Sequence, residues 1–130
     1  MIPKFRLYDP SDQKIREVAE IDWPLGIVGT CGGAVEHELD KVVLMQSTEM
    51  KDKNGVEIFE GDVVAVENHP FQRKEDSGVG MEIEGNYVVG WNQHDLTWCA
   101  GDLLLARLKP YVKVIGNIYE NPELLEEEMR

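Results

Sequence analysis

The chain has 130 residues, of which 42% are hydrophobic and 29% charged, and a formal net charge of −12. This is the composition of a globular protein, one ordinary domain or two small lobes, and not of a disordered tail. It excludes a bilayer-spanning helix, because no apolar run reaches the roughly 18–20 residues needed, and it disfavours a grip on nucleic acid, which requires a basic face.

The 13 basic residues are scattered; only Arg73 and Lys74 are adjacent, and Glu75 and Asp76 follow them. No membrane association is expected. The start, "MIPKFRLYDPSDQK", turns polar too soon for the apolar core of a signal peptide, so a cytoplasmic, uncleaved protein is expected. Cys31 and Cys99 lack paired spacing. A disulfide between them stays open, but two small buried thiols are the expected reading in a cytosolic chain.

In chain order, "KFRLYD" alternates as a strand does, and Pro10, Ser11 and Asp12 form a turn cluster. "KIREVAEIDW" repeats Ile15, Val18 and Ile21 every three residues, which fits a helix face or a twisted hairpin partner; the turn before it and Pro-Leu-Gly after Trp23 favour a strand. "GIVGTCGGAVEHEL" carries too many glycines for a helix and suits two short strands joined at Cys31, Gly32 and Gly33. "KVVLMQS" and "DVVAVEN" are strands by their β-branched content. His69 to Gly80 is polar, Gly-punctuated and expected to be a long loop. "MEIEGNYVVGWN" is a strand, broken or bulged at Gly85, and "LLLARL" and "YVKVIGNIY" supply further apolar segments.

The tail "ENPELLEEEMR" starts as a helix does, with Asn121 as cap, Pro122 at the first position and Glu123 in the first turn. It is too short to stand alone. Leu124, Leu125 and Met129 therefore pack on the domain or on a neighbouring subunit, or the tail frays.

Strands and short turns dominate, so the expected class is mainly β: a small SH3-like barrel from about Lys51 to Glu120, additional N-terminal strands and a short C-terminal helix. As one domain over residues 1–130, it divides into an N-terminal strand lobe (1–50), a barrel-like lobe (51–120) and the helix (121–130).

Three blocks carry a lineage. "MIPKFR", "LMQSTEMKDKNGVEIFEGDVV" and "VIGNIYENPELLEE" resemble the YopX-like family of phage and prophage proteins, in order and in spacing. The middle block is the most specific: Lys51, Asp52, Gly55, Ile58, Phe59, Glu60, Gly61 and Asp62 match the family pattern. One departure stands out. The Gly that usually follows the Thr is Glu49 here, so that turn is expected to take another shape. The resemblance implies a small phage-borne protein acting inside a bacterial host, with no established activity, cofactor or catalytic residue to carry over.

Several of the remaining residues are of types that carry chemistry. "KDKNGVEIFEGDVV" fails as a calcium loop, because the sixth and twelfth positions from Asp52 are Glu57 and Val63 rather than Gly and Glu. As turns, its residues have roles: Asp52 opens a type I turn closed by Gly55, or Asn54 and Gly55 form a type I′ turn. Glu60 and Asp62 could pair as acid and base, but Asp62 follows Gly61 at a strand entrance, where a carboxylate accepts backbone N–H groups. Cys31, His37, His94 and Cys99 could converge on zinc, but known zinc fingers have tighter pairs at each end; Cys31 could act as a nucleophile with His37 or His94, but it lacks a family-specific context such as a Gln or Gly framework around the Cys. Trp91 and Trp98, with Tyr87 upstream, read as one core and one interface aromatic rather than a stacking platform for nucleic acid. No catalytic, cofactor-binding or metal residue is assigned.

The expected function is therefore a non-enzymatic phage accessory protein, a small β module that binds a partner protein and assembles as a homo-oligomer. The alternatives are an acidic mimic of DNA that blocks a host DNA-binding protein, and a metal-binding or hydrolytic protein using Cys31, His37, His94 and Cys99.

Overall fold

The structure is a computed structural model that describes residues 4–67 and 85–126; the His69 to Gly80 loop expected from sequence lies outside them. The chain forms two compact units, residues 1–47 and 48–130. That division falls three residues ahead of the 50/51 boundary expected from sequence.

In the first unit, β1 (Phe5–Asp9), β2 (Lys14–Asp22), β3 (Ile27–Thr30), β4 (Val35–Glu38) and the start of β5 (Val43–Lys51) make an antiparallel sheet in the order β4, β3, β2, β1, β5. The strand reading of "KIREVAEIDW" holds, with Arg6 opposite Glu17 and Tyr8 opposite Ile15. Apolar side chains on both faces leave water: Leu7 and Val28 are fully buried on one face, and Met45, opposite Arg6, is fully buried on the other. The β1–β2 turn is made by Asp9, whose Oδ1 accepts from Ser11 N (2.9 Å) and Oγ (2.7 Å). That pair of donors, the hydroxyl first, holds the Asp9 carboxyl below the ordinary range.

Cys31, Gly32 and Gly33 do join β3 to β4, and all three have positive φ (56°, 70° and 94°). This tight reversal turns Cys31 outward: its thiol is exposed and free, while Cys99 is free and buried. The expectation of two buried thiols is thus corrected for Cys31.

In the second unit, β6 (Glu57–Phe59) lies beside β5, and β7 (Asp62–Val66), β8 (Gly85–Asn92), β9 (Thr97–Ala100), β10 (Leu103–Leu104) and β11 (Val112–Asn117) form a sheet in the order β10, β9, β8, β7, β11. The expected SH3-like barrel does not close. β10 is only two residues long, after which the chain coils into α1 (Leu105–Leu108) and a 3-10 turn over Lys109–Tyr111. This lays Leu105 and Leu108 into the core, and β11 returns beside β7, with Val112 opposite Val66, at the far edge from β10. The core is Ile58, Val64, Val66, Val89, Ala100, Leu105, Leu108 and Val112.

The tail is seated on this unit. α2 (Glu123–Glu126) follows Pro122, and Asn86 Nδ2 donates to the Leu124 carbonyl at 3.0 Å. Asn121 is not the side-chain cap expected; its Oδ1 accepts instead from Asn117 N at 3.3 Å. Gly116 is required by this contact, because a Cβ there would lie 2.5 Å from Asn121 Oδ1 and 2.9 Å from Leu124 Cδ1.

Glu49 stands in an unusual conformation. It lies in β5 at φ 64°, the left-handed conformation that favours glycine. A neighbouring residue holds this kink. Thr48 explains how: its buried hydroxyl donates to the Ile58 carbonyl (2.7 Å) and accepts from Met50 N (3.1 Å), bridging the kink from both sides.

Candidate functional site

The acidic stretch around residues 52–62 is structural. Asp52, 6% exposed, accepts from Asn54 N (2.8 Å) and Val56 N (2.9 Å) on Oδ1 and from Val114 N (2.9 Å) on Oδ2. Burial pushes its carboxyl up, and the N–H groups of Val114, Val56 and Asn54 outweigh that, holding it below the ordinary range. Gly55 N donates to Asp52 O at 3.0 Å, so the first-position role in a turn closed by Gly55 is realised. Asp62 is 1% exposed and its Oδ2 accepts from Phe59 N at 2.8 Å, the backbone-tying role its place after Gly61 indicated. Glu60 is half-buried in the turn between β6 and β7.

The Cys and His residues fall on both units. In the first, His37 has both ring nitrogens engaged: Nδ1 is 3.5 Å from Asp9 Oδ2, and Nε2 is 3.0 Å from Thr30 Oγ1. With the proton on Nδ1, the ring faces it to Asp9 and accepts from the Thr30 hydroxyl on Nε2. Arg16 completes the cluster, with NH1 3.6 Å from Asp9 Oδ2 and a second ion pair to Asp12. Carboxylate, imidazole and hydroxyl in this order are the parts of a nucleophilic triad. Thr30, however, is fully buried, so its hydroxyl meets no substrate from solvent and the chain of bonds ties β1 to β3 and β4. In the second unit, Cys99 is buried in β9, opposite Gly90. His94 is exposed in the β8–β9 turn, which Asn92 Oδ1 pins by accepting from His94 N (2.8 Å) and Asp95 N (3.1 Å). Among the described residues no group of three His, Cys, Asp or Glu side chains is placed to hold a metal ion.

What each unit does present to solvent is an apolar hairpin tip. In the second, Trp98 packs on the core and Trp91, directly opposite it, is 45% exposed; the rings meet edge to face at 5.2 Å, and Leu96 beside them is 72% exposed. The core role expected of one tryptophan falls to Trp98. In the first unit, the β2–β3 turn carries Trp23 (63% exposed), Pro24 and Leu25 (70% exposed). Asp22 holds that turn, its Oδ1 accepting from Leu25 N (3.1 Å) and its carbonyl from Gly26 N (2.9 Å), with Gly26 at φ 69°. Sequence reasoning passed over this tip. The signal was there: Trp and Leu in a turn, where polar residues are the rule.

The chain is thus a mainly β protein of two antiparallel sheets whose buried carboxylates hold backbone and whose exposed apolar groups crown hairpins. It matches the YopX protein family over residues 4–126, and it belongs to that family. Its fold is similar to the crystal structure of protein EF1440 from Enterococcus faecalis, with a TM-score of 0.65 and 28% identity, covering 96% of this chain and 99% of that one. A search of curated proteins gives no match.

Proposed function

We propose that the protein is a non-enzymatic binding module, a phage or prophage accessory protein that acts in the bacterial cytoplasm through protein–protein contacts and assembles as a homo-oligomer. The observation that carries this reading is the pair of exposed tips, Trp23 with Leu25 and Trp91 with Leu96. Burying one such side chain is worth about 1.5–3 kcal/mol, and tryptophan is enriched where interfaces concentrate their energy. The described part of the C-terminal tail packs on its own unit.

The test is the mass in solution. Size-exclusion chromatography with light scattering is expected to give a multiple of the chain mass that falls when Trp23 or Trp91 is changed to Ala. A strictly monomeric mass at high concentration removes self-assembly from the proposal.

The net charge of −12 supports a second reading, an acidic mimic that occupies a host DNA-binding protein. That reading requires the protein to displace DNA from such a partner, and to lose its hold at high salt.

A further inference from the structure

The outer face of the β2, β3 and β4 sheet has a charge pattern that only the register reveals. Glu20 pairs with Gly29 and Gly29 with Glu36, in one row across three strands; in the next row Asp22 pairs with Ile27 and Ile27 with Glu38. Residues directly opposite share a face, so four carboxylates flank a middle strand that offers only Gly29 and Ile27. On β3 the other face is the buried one, with Val28 and Thr30 fully covered. Across two strand spacings, the outer carboxylates of a row start roughly 10 Å apart.

Gly29 shapes the space between them. Glu20 folds over it, so that a Cβ at residue 29 would lie 2.9 Å from Glu20 Cγ and 3.1 Å from its Oε1. A cavity of about 330 Å³ opens here, lined by Glu20, Glu36, Gly29 and Ile27 and extended by Trp23 and Leu25 at the turn. Among the described residues, no lysine or arginine forms an ion pair with Glu20, Glu36 or Glu38.

We infer that this face docks an extended cationic segment of a partner protein, an arginine lying along β3 between Glu20 and Glu36 and a neighbouring aliphatic residue packing on Trp23 and Leu25. The inference rests on the binding-module reading and names its partner's chemistry. Charge complementarity selects the occupant: an anionic or neutral strand would leave the carboxylates unpaired and bring like charges together. A guanidinium donates to two carboxylates at once through its planar fork of N–H groups, which a single ammonium does not match. The apolar end of the cavity requires an aliphatic neighbour, which a free polyamine lacks.

The test uses the full chain, ¹⁵N-labelled, and three probes: an extended peptide alternating leucine and arginine, the same peptide with neutral citrulline for arginine, and spermidine. The arginine peptide is expected to shift amides of residues 20–29 and 36–38, and the citrulline peptide to bind at least about tenfold more weakly. Glu20→Gln with Glu36→Gln, both exposed and removable without loss of the fold, is expected to cost the arginine peptide a similar factor. Trp23→Ala with Leu25→Ala is expected to weaken both peptides. Equal binding of the two peptides, shifts confined to other residues, or full competition by spermidine would overturn the inference. If self-association is lost in the Trp23 variant while the arginine peptide never binds, the cationic partner fails and the binding module stands; if the tip variants change no association and no peptide binds, both fail.

Discussion

Asp52 Oδ2 accepts a hydrogen bond from the backbone N–H of Val114, 2.9 Å away and 62 positions along the chain. The same carboxylate holds its own turn through Asn54 and Val56. One side chain thus fixes a local reversal and fastens β11 to it, and Lys53 N adds a second link to the Val112 carbonyl at 3.0 Å.

Asp52→Asn is expected to destabilise the protein by roughly 1–3 kcal/mol, because an amide has one acceptor oxygen where the carboxylate has two, and a buried N–H loses its partner. Urea denaturation at neutral pH measures it. A loss below about 0.5 kcal/mol would show that the turn and β11 hold without this carboxylate.

The same group sets an acid limit. Its folded pKa is depressed, so its contribution is fully present above the unfolded value of about 3.9 and is lost as pH falls through the folded value. Stability is therefore expected to fall below about pH 4, and the Asp52→Asn variant to show a shallower acid limb. Parallel limbs for the two proteins would contradict this role.

At Glu49, the left-handed backbone strains any residue with a Cβ. Glu49→Gly is expected to raise stability by about 0.5–1 kcal/mol, the relief of strain exceeding the added freedom of the unfolded chain. A lower denaturation midpoint would mean that the glutamate side chain contributes more than its backbone costs.

Gly116→Ala is expected to push the tail off its seat, since the new methyl would overlap Asn121 and Leu124, at a cost of about 1–3 kcal/mol. Amide exchange at Leu124 and Leu125 should accelerate while Val64 and Val89 in the core stay protected. Unchanged exchange at Leu124 would show that the tail shifts without detaching.

Thr30→Val keeps the shape of a fully buried side chain and removes its hydroxyl from His37 Nε2. A loss of roughly 1 kcal/mol is expected, with the His37 ring resonances broadened or shifted. Unaltered resonances would show that Asp9 alone orients the ring.

Much of the fold was legible in the residues themselves. Alternation and β-branching placed β1, β5 and β7, and Gly32 with Gly33 marked the β3–β4 reversal, because strand faces and positive φ are local properties. The roles of Asp52 and Asp62 could be read for the same reason: a carboxylate beside a turn finds N–H groups within a few residues. The barrel was misjudged because closure depends on which edge strands meet. That is settled by where α1 carries the chain, and no local pattern encodes it.

Lineage, the mainly β class and the turn chemistry of "KDKNGVEIFEGDVV" were readable from the residues in order, because each depends on neighbours a few positions apart. Tertiary structure decided the rest. It showed Asp52 reaching Val114, Glu49 keeping a glycine's backbone, and Glu20, Gly29 and Glu36 standing in one row across three strands. Side chains far apart in sequence acquire a common face only when strand register is fixed, and register is set by burial of Leu7, Val28 and Thr30 on the opposite side of the sheet.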